Sequence, residues 1–141
     1  MFNFGPTISD DHLFIVGFAG AGGRCNSAYK IPVANITASL NQQHNSGSSS
    51  KWTEMTAADH FYTAVVPRSS SVVVVGGQYH GIPTADVKMY DTFNKSWKKI
   101  GSLSSARSHV TVAAVYDNAI LIIGGCTKGE NHSPADLLAR L

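Results

Sequence analysis

Six histidines, His12, His44, His60, His80, His109 and His132, are the side chains here best suited to hold a metal or move a proton near neutral pH. A zinc-type site announces itself by His or Cys ligands at short, fixed spacing, and no pair in this chain stands at such a spacing. The two cysteines, Cys25 and Cys126, form neither a Cys-x-x-Cys motif nor a disulfide framework, so both are expected as free thiols. No metal and no cofactor is expected on these grounds.

The glycine-rich stretch 17–23 follows an apolar segment and has the look of a phosphate cradle. A dinucleotide loop needs a helix N-terminus next, and a P-loop needs Lys-Ser/Thr after its last glycine. Arg24 and Cys25 occupy those places and Pro32 interrupts the segment, so nucleotide binding is not supported. Hydrolytic chemistry fares no better. There is no Gly-x-Ser-x-Gly elbow, and Asp10-Asp11 lies near the start of the chain, which reads as disordered. The chain is therefore expected not to be an enzyme.

With 141 residues and 43% hydrophobic content, the chain can bury a core of ordinary size. Its formal charge of +2 arises from 11 basic and 9 acidic residues spread along the sequence, with no basic run beyond Lys98-Lys99, which argues against nucleic acid as a partner. The apolar stretch 13–19 is short, broken by glycine and preceded by no basic region. Neither a signal peptide nor a membrane span is expected, and a cytoplasmic, intracellular setting is the default. In that setting the triplets beginning at Asn35, Asn94 and Asn131 read as turn residues rather than glycosylation sites.

What must position any functional residues is a repeat. The aliphatic run at 72–75 closes on Gly76-Gly77, and 48 residues later the run at 120–123 closes on Gly124-Gly125. Without a gap, residues 59–77 align on 107–125, and Trp52 and Trp97 stand 45 residues apart. Periods of about 40 to 50 residues mark a propeller, in which four-stranded antiparallel blades stack around an axis. The fold class is thus all-β, a partial propeller with one complete and two incomplete blades.

The middle of the chain supplies a complete blade at about 62–66, 72–77, 85–91 and 96–100. The organisation read from this is residues 1–56 as a degenerate first blade with long loops, 57–101 as the complete blade, and 102–141 as half a further blade with a tail. In the first unit, residues 13–18 correspond to the second strand, 34–40 to the third and 52–55 to the fourth. Its surplus length falls at 19–32 and 41–51. At the other end the pattern stops after two strands, and residues 136–141 read as a short helix or a frayed end.

These residues resemble the kelch repeat: aliphatic residues before a double glycine, a Tyr and a Trp separated by six residues, and an Arg leading into the next inner strand. Gly76-Gly77, Tyr90, Trp97 and Arg107 match in order, and Gly124-Gly125 matches again, so the resemblance covers about residues 52–125. The first unit departs from it, with Gly17-Phe18 where the glycine pair belongs. The resemblance implies a five- to seven-bladed propeller, of which the chain carries about two blade-equivalents, so it is expected to be a fragment that self-associates or relies on further blades.

Kelch-type propellers commonly serve protein-protein interaction, and that is the expected function, with the partner a protein of unknown identity. In such folds the loops 78–84 and 126–134 gather at one end with 56–61 and 101–109. The anchors expected on this face are Tyr79, His80, Arg107 and His109, although Arg107 could instead tie adjacent blades. The alternative is part of an enzymatic or carbohydrate-binding kelch propeller, of the copper oxidase or sugar epimerase type. It would need convergent His and Tyr, or exposed aromatics, on that same face, and convergence of His60, His80 and His109 on one point would favour it.

Overall fold

The computed structural model describes residues 5–18, 27–41, 52–57, 64–68, 71–116, 119–127 and 139–140. The chain is all-β and antiparallel. A first sheet runs in the order β1 (Gly5–Ser9), β2 (His12–Phe18), β3 (Ser27–Pro32) and β4 (Thr53–Met55), with one helix, α1 (Val33–Asn41), between β3 and β4. A second is built from β5 (Ala64–Arg68), β6 (Ser71–Val75), β9 (Asp86–Asp91) and β10 (Ser96–Ser102). Between β6 and β9 a small ribbon, β7 (Gln78–Tyr79) with β8 (Ile82–Pro83), projects from its end. The third sheet is β11 (Thr111–Tyr116), β12 (Ala119–Ile123) and β13 (Ala139–Arg140).

Each sheet is a meander in chain order, and the first strands of the three are neighbours, β5 lying between β1 and β11. That is the arrangement of a partial propeller, with first strands inward, and no barrel closes among the described residues. The first hairpin of every sheet closes alike. Ser9 pairs with His12, Arg68 with Ser71 and Tyr116 with Ala119, two residues intervening each time. Five residues after each second strand begins comes a glycine of positive φ: Gly17 at 82°, Gly76 at 61° and Gly124 at 69°. Backbone in this region is open to glycine at no steric cost, which lets the chain turn out of the sheet.

The second strand is where the core concentrates. On β6, Val72 and Val74 join Phe14, Val16, Ala28, Met55 and Tyr90 between the first and second sheets. Val73 and Val75 join Val87, Val110, Ile120 and Ile122 between the second and third. Successive strand residues point to opposite faces, so an uninterrupted valine run is what a strand covered on both sides requires. Tyr90 is buried and packs its ring edge-on to Trp97, with centroids 5.2 Å apart. The Ser71 hydroxyl donates to the Tyr90 carbonyl, fixing β6 against β9.

The structure corrects the sequence reading at both ends. Residues 34–40, expected as the third strand of the first unit, lie in α1, and the third strand is Ser27–Pro32, within the stretch 19–32 expected as surplus loop. Val33, Ile36 and Leu40 recur at helical spacing, whereas the β-branched content of Val33, Ile36 and Thr37 suggests a strand. The start of the chain is not featureless. Gly5–Ser9 forms β1, and Asp10, at φ 51°, begins the turn into β2. The first sheet therefore has four strands. At the other end, Ala139–Arg140 is neither helix nor frayed but pairs as β13 with β12.

Within the third sheet the 48-residue correspondence slips. A bulge between Ala114 and Tyr116 displaces the pairing by one residue, so Thr111 rather than Val112 faces Ile123. No helix among the described residues is long and apolar enough to cross a membrane.

Candidate binding face

The meander places the ribbon at 78–83 and the segment 101–109 at one end of the second sheet, and the turn at 92–95 at the other. Backbone hydrogen bonds fasten the first two together. The amide of Gly77 donates to the Arg107 carbonyl at 2.8 Å, that of Arg107 to Thr84 at 3.1 Å, and that of Leu103 to Ala85 at 2.7 Å. A side-chain bond adds to these: Gln78 Nε2 donates to Ser108 Oγ at 3.1 Å.

Ser108 sits at the centre of this junction. It is only 1% exposed, and its amide and carbonyl form a reciprocal antiparallel bridge with Cys126, at 3.0 and 2.8 Å. Its Oγ also lies 3.1 Å from His109 Nδ1. Since Gln78 donates to the hydroxyl oxygen, the hydroxyl hydrogen can serve Nδ1, giving a chain from Gln78 through Ser108 to His109. The bonds order the imidazole at the rim while the ring stays exposed.

Tyr79 and His80 occupy the tip of the ribbon. His80 and Gly81 both have positive φ, 50° and 78°, as a two-residue hairpin turn of the mirror-image type I requires. The Tyr79 and His80 rings meet edge to face with centroids 4.3 Å apart. Tyr79 is 53% exposed and the neighbouring Ile82 56%, so the tip offers an aromatic and an aliphatic surface side by side.

Arg107 does not belong to that surface. It is buried, its Nε donates to Ser105 Oγ at 3.0 Å, and its Nη1 reaches the Gly124 carbonyl at 3.3 Å. Since its backbone binds Gly77 and Thr84, the residue spans from the second sheet to the third. A Cβ placed on Gly76 would come within 2.5 Å of the Arg107 carbonyl oxygen, and one on Gly125 within 2.6 Å of Val110 Cγ1. Gly76 and Gly125 are thus points of close approach to residues 107–110.

Of the four expected anchors, three therefore gather at one rim and Arg107 lies beneath it. His60, His44, His132, Cys25 and the glycine-rich stretch 19–23 fall outside the described residues. Among the described residues no three His, Cys, Asp or Glu side chains could hold a metal together. Gln78 and Ser108 were missed from sequence, because neither stands in a motif and only the fold brings them together. No protein-family model and no curated protein matches the chain.

Proposed function

We propose that this chain is a kelch-type propeller module that binds a protein partner through the rim carrying Tyr79, His80 and His109. The module is non-catalytic and intracellular, a setting in which Cys126 remains a thiol. The observation that carries the reading is the Gln78-Ser108-His109 hydrogen-bond chain. It fixes two loops from different parts of the sequence into one ordered rim, and ordering before contact lowers the entropic cost of association. Tyr79 and Ile82 supply apolar area, and the two imidazoles supply polar contacts beside it. The kelch reading itself is supported by the close approach of Gly76 to Arg107, the Tyr90-Trp97 contact and the arginine tie between sheets.

The test uses Phe93 as its control, since that residue is 91% exposed in the turn at the opposite end of the sheet. The parent and the variants Tyr79→Ala, His80→Ala, His109→Ala and Phe93→Ala are immobilised at equal density, and proteins retained from a cell extract are quantified. A partner retained by the parent and by Phe93→Ala should fall roughly tenfold or more with the rim variants. Equal retention by all five proteins would overturn the reading.

A further inference from the structure

The repeat assigns a direction to every second strand. On β6, Val72 and Val74 face the preceding sheet while Val73 and Val75 face the following one. The same rule holds on β2, whose Phe14 and Val16 face the following sheet, and on β12, whose Ile120 and Ile122 face the preceding one. Two faces are left over. Leu13 and Ile15 of β2 stand where β6 meets a preceding sheet, and Leu121 and Ile123 of β12 stand where β6 meets a following one.

The third sheet's leftover face is apolar and open, and the first sheet's is apolar and open along β1 and β2, whereas Ile31, opposite Leu13 on β3, is already buried within the chain. Ile8, paired with Leu13 on β1, is 58% exposed, and Leu13 and Ile15 are partly exposed beside it. On the third sheet Ile123 is 44% exposed and Leu121 partly so. Exposed aliphatic groups adjoining one another on a sheet face mark an interaction surface. The two faces differ from each other, and each matches what the other lacks, because their pairing would continue the contact already made twice within the chain.

We propose that two copies of this chain associate head to tail, the first sheet of each packing on the third sheet of the other. The pairing is heterologous, and such a contact yields a ring when its rotation closes. Each chain brings three blade-like sheets, so two copies bring six, within the range of about four to eight blades that propellers adopt, whereas a third copy would exceed it. The inference rests on the stacking of the sheets and not on the rim, so either can fail alone.

The experiment measures mass in solution by light scattering after gel filtration, for the full chain and for Ile8→Lys and Ile123→Lys. The parent should have twice the 15.0 kDa of one chain. Each variant, its fold checked by circular dichroism, should dissociate at least roughly tenfold more readily. An equimolar mixture of the two variants should regain the doubled mass, because one junction between them has both faces intact. A parent of single mass at high concentration would overturn the proposal and assign the faces to another occupant, such as further blades. Larger open assemblies would overturn the closed pair. Failure of the mixture to associate would overturn the head-to-tail arrangement.

Discussion

The indole Nε1–H of Trp97 donates to the backbone carbonyl of Thr56 at 2.8 Å, joining the fourth strand of the second sheet to the end of the first. Thr56 answers with its own hydroxyl, which donates to the Lys95 carbonyl at 2.6 Å. Two sheets are therefore locked at their outer strands by reciprocal bonds, while Phe14, Val16, Val72 and Val74 pack further in.

Replacing Trp97 tests that lock. Full burial of a tryptophan makes its loss cost about 3 to 5 kcal/mol, and Trp97 is only partly buried, so Trp97→Ala should cost about 2 to 3 kcal/mol in denaturant unfolding. Trp97→Phe keeps a ring against Tyr90 but removes the donor, which should leave a loss of about 1 kcal/mol. Equal losses from both substitutions would mean that the hydrogen bond, not the packing, holds the two strands.

The glycines separate two effects that sequence alone merges. Gly76 and Gly81 both have positive φ, yet a Cβ at Gly81 would meet nothing within 4 Å, whereas one at Gly76 would meet the Arg107 carbonyl oxygen at 2.5 Å. Gly81→Ala should therefore cost only the conformational penalty, about 1 to 2 kcal/mol. Gly76→Ala must also push the second sheet from residue 107, and should cost at least about 3 kcal/mol or prevent cooperative folding. Thermal melts of the two variants side by side provide the comparison.

Much of this was legible from the residues. The valine run, its closing glycines and the spacing of Tyr90 and Trp97 specify a sheet by local chemistry alone, and the second sheet stands within two residues of its expected strands. The first unit was harder because its signals conflict. β-branched residues at 33, 36 and 37 favour a strand, but Val33 and Ile36 also recur with Leu40 at helical spacing, and α1 forms. β1 escaped because a short strand beside Asp10-Asp11 gains its stability from pairing with β2, a contact no local window reveals. For the same reason Tyr79, His80 and His109 could be placed on a common rim by topology, whereas the bonds that order it, through Gln78 and Ser108, could not.

Arg107 distinguishes cohesion from recognition. Its guanidinium is buried and bonded to Ser105 and Gly124, so Arg107→Ala removes those bonds and leaves the Gly124 carbonyl short of a donor, at a cost of about 2 to 4 kcal/mol. Arg107→Lys should recover little, because a single ammonium cannot reproduce two directed guanidinium contacts. His80→Ala, at an exposed turn, should leave the melting curve within about 0.5 kcal/mol of the parent. An unchanged melt for Arg107→Ala would return this residue to the list of contact groups.

Stability should also fall at both extremes of pH, through adjacent residues acting in opposite senses. Burial, with a smaller contribution from the Asp91 charge, raises the Tyr90 hydroxyl above its ordinary 10.0. A raised folded value means that the unfolded chain releases the proton first, so the stabilisation is complete below pH 10.0 and is lost as pH rises through the folded value. Asp91 moves the other way. The amide of Asn94 contributes most, followed by the Asn94 side chain, in holding its carboxylate below the ordinary 3.8, and the Phe93 amide adds to them. That contribution is present above pH 3.8 and is lost as pH falls through the depressed value. Tyr90→Phe should remove the part of the alkaline loss that comes from Tyr90 without touching the acid side, and Asp91→Asn should remove the acid loss while also lessening the alkaline one, because the Asp91 charge contributes to the raised Tyr90 value. Urea midpoints measured across the pH range would expose an error in either assignment, as an alkaline limb unchanged by Tyr90→Phe or an acid limb unchanged by Asp91→Asn.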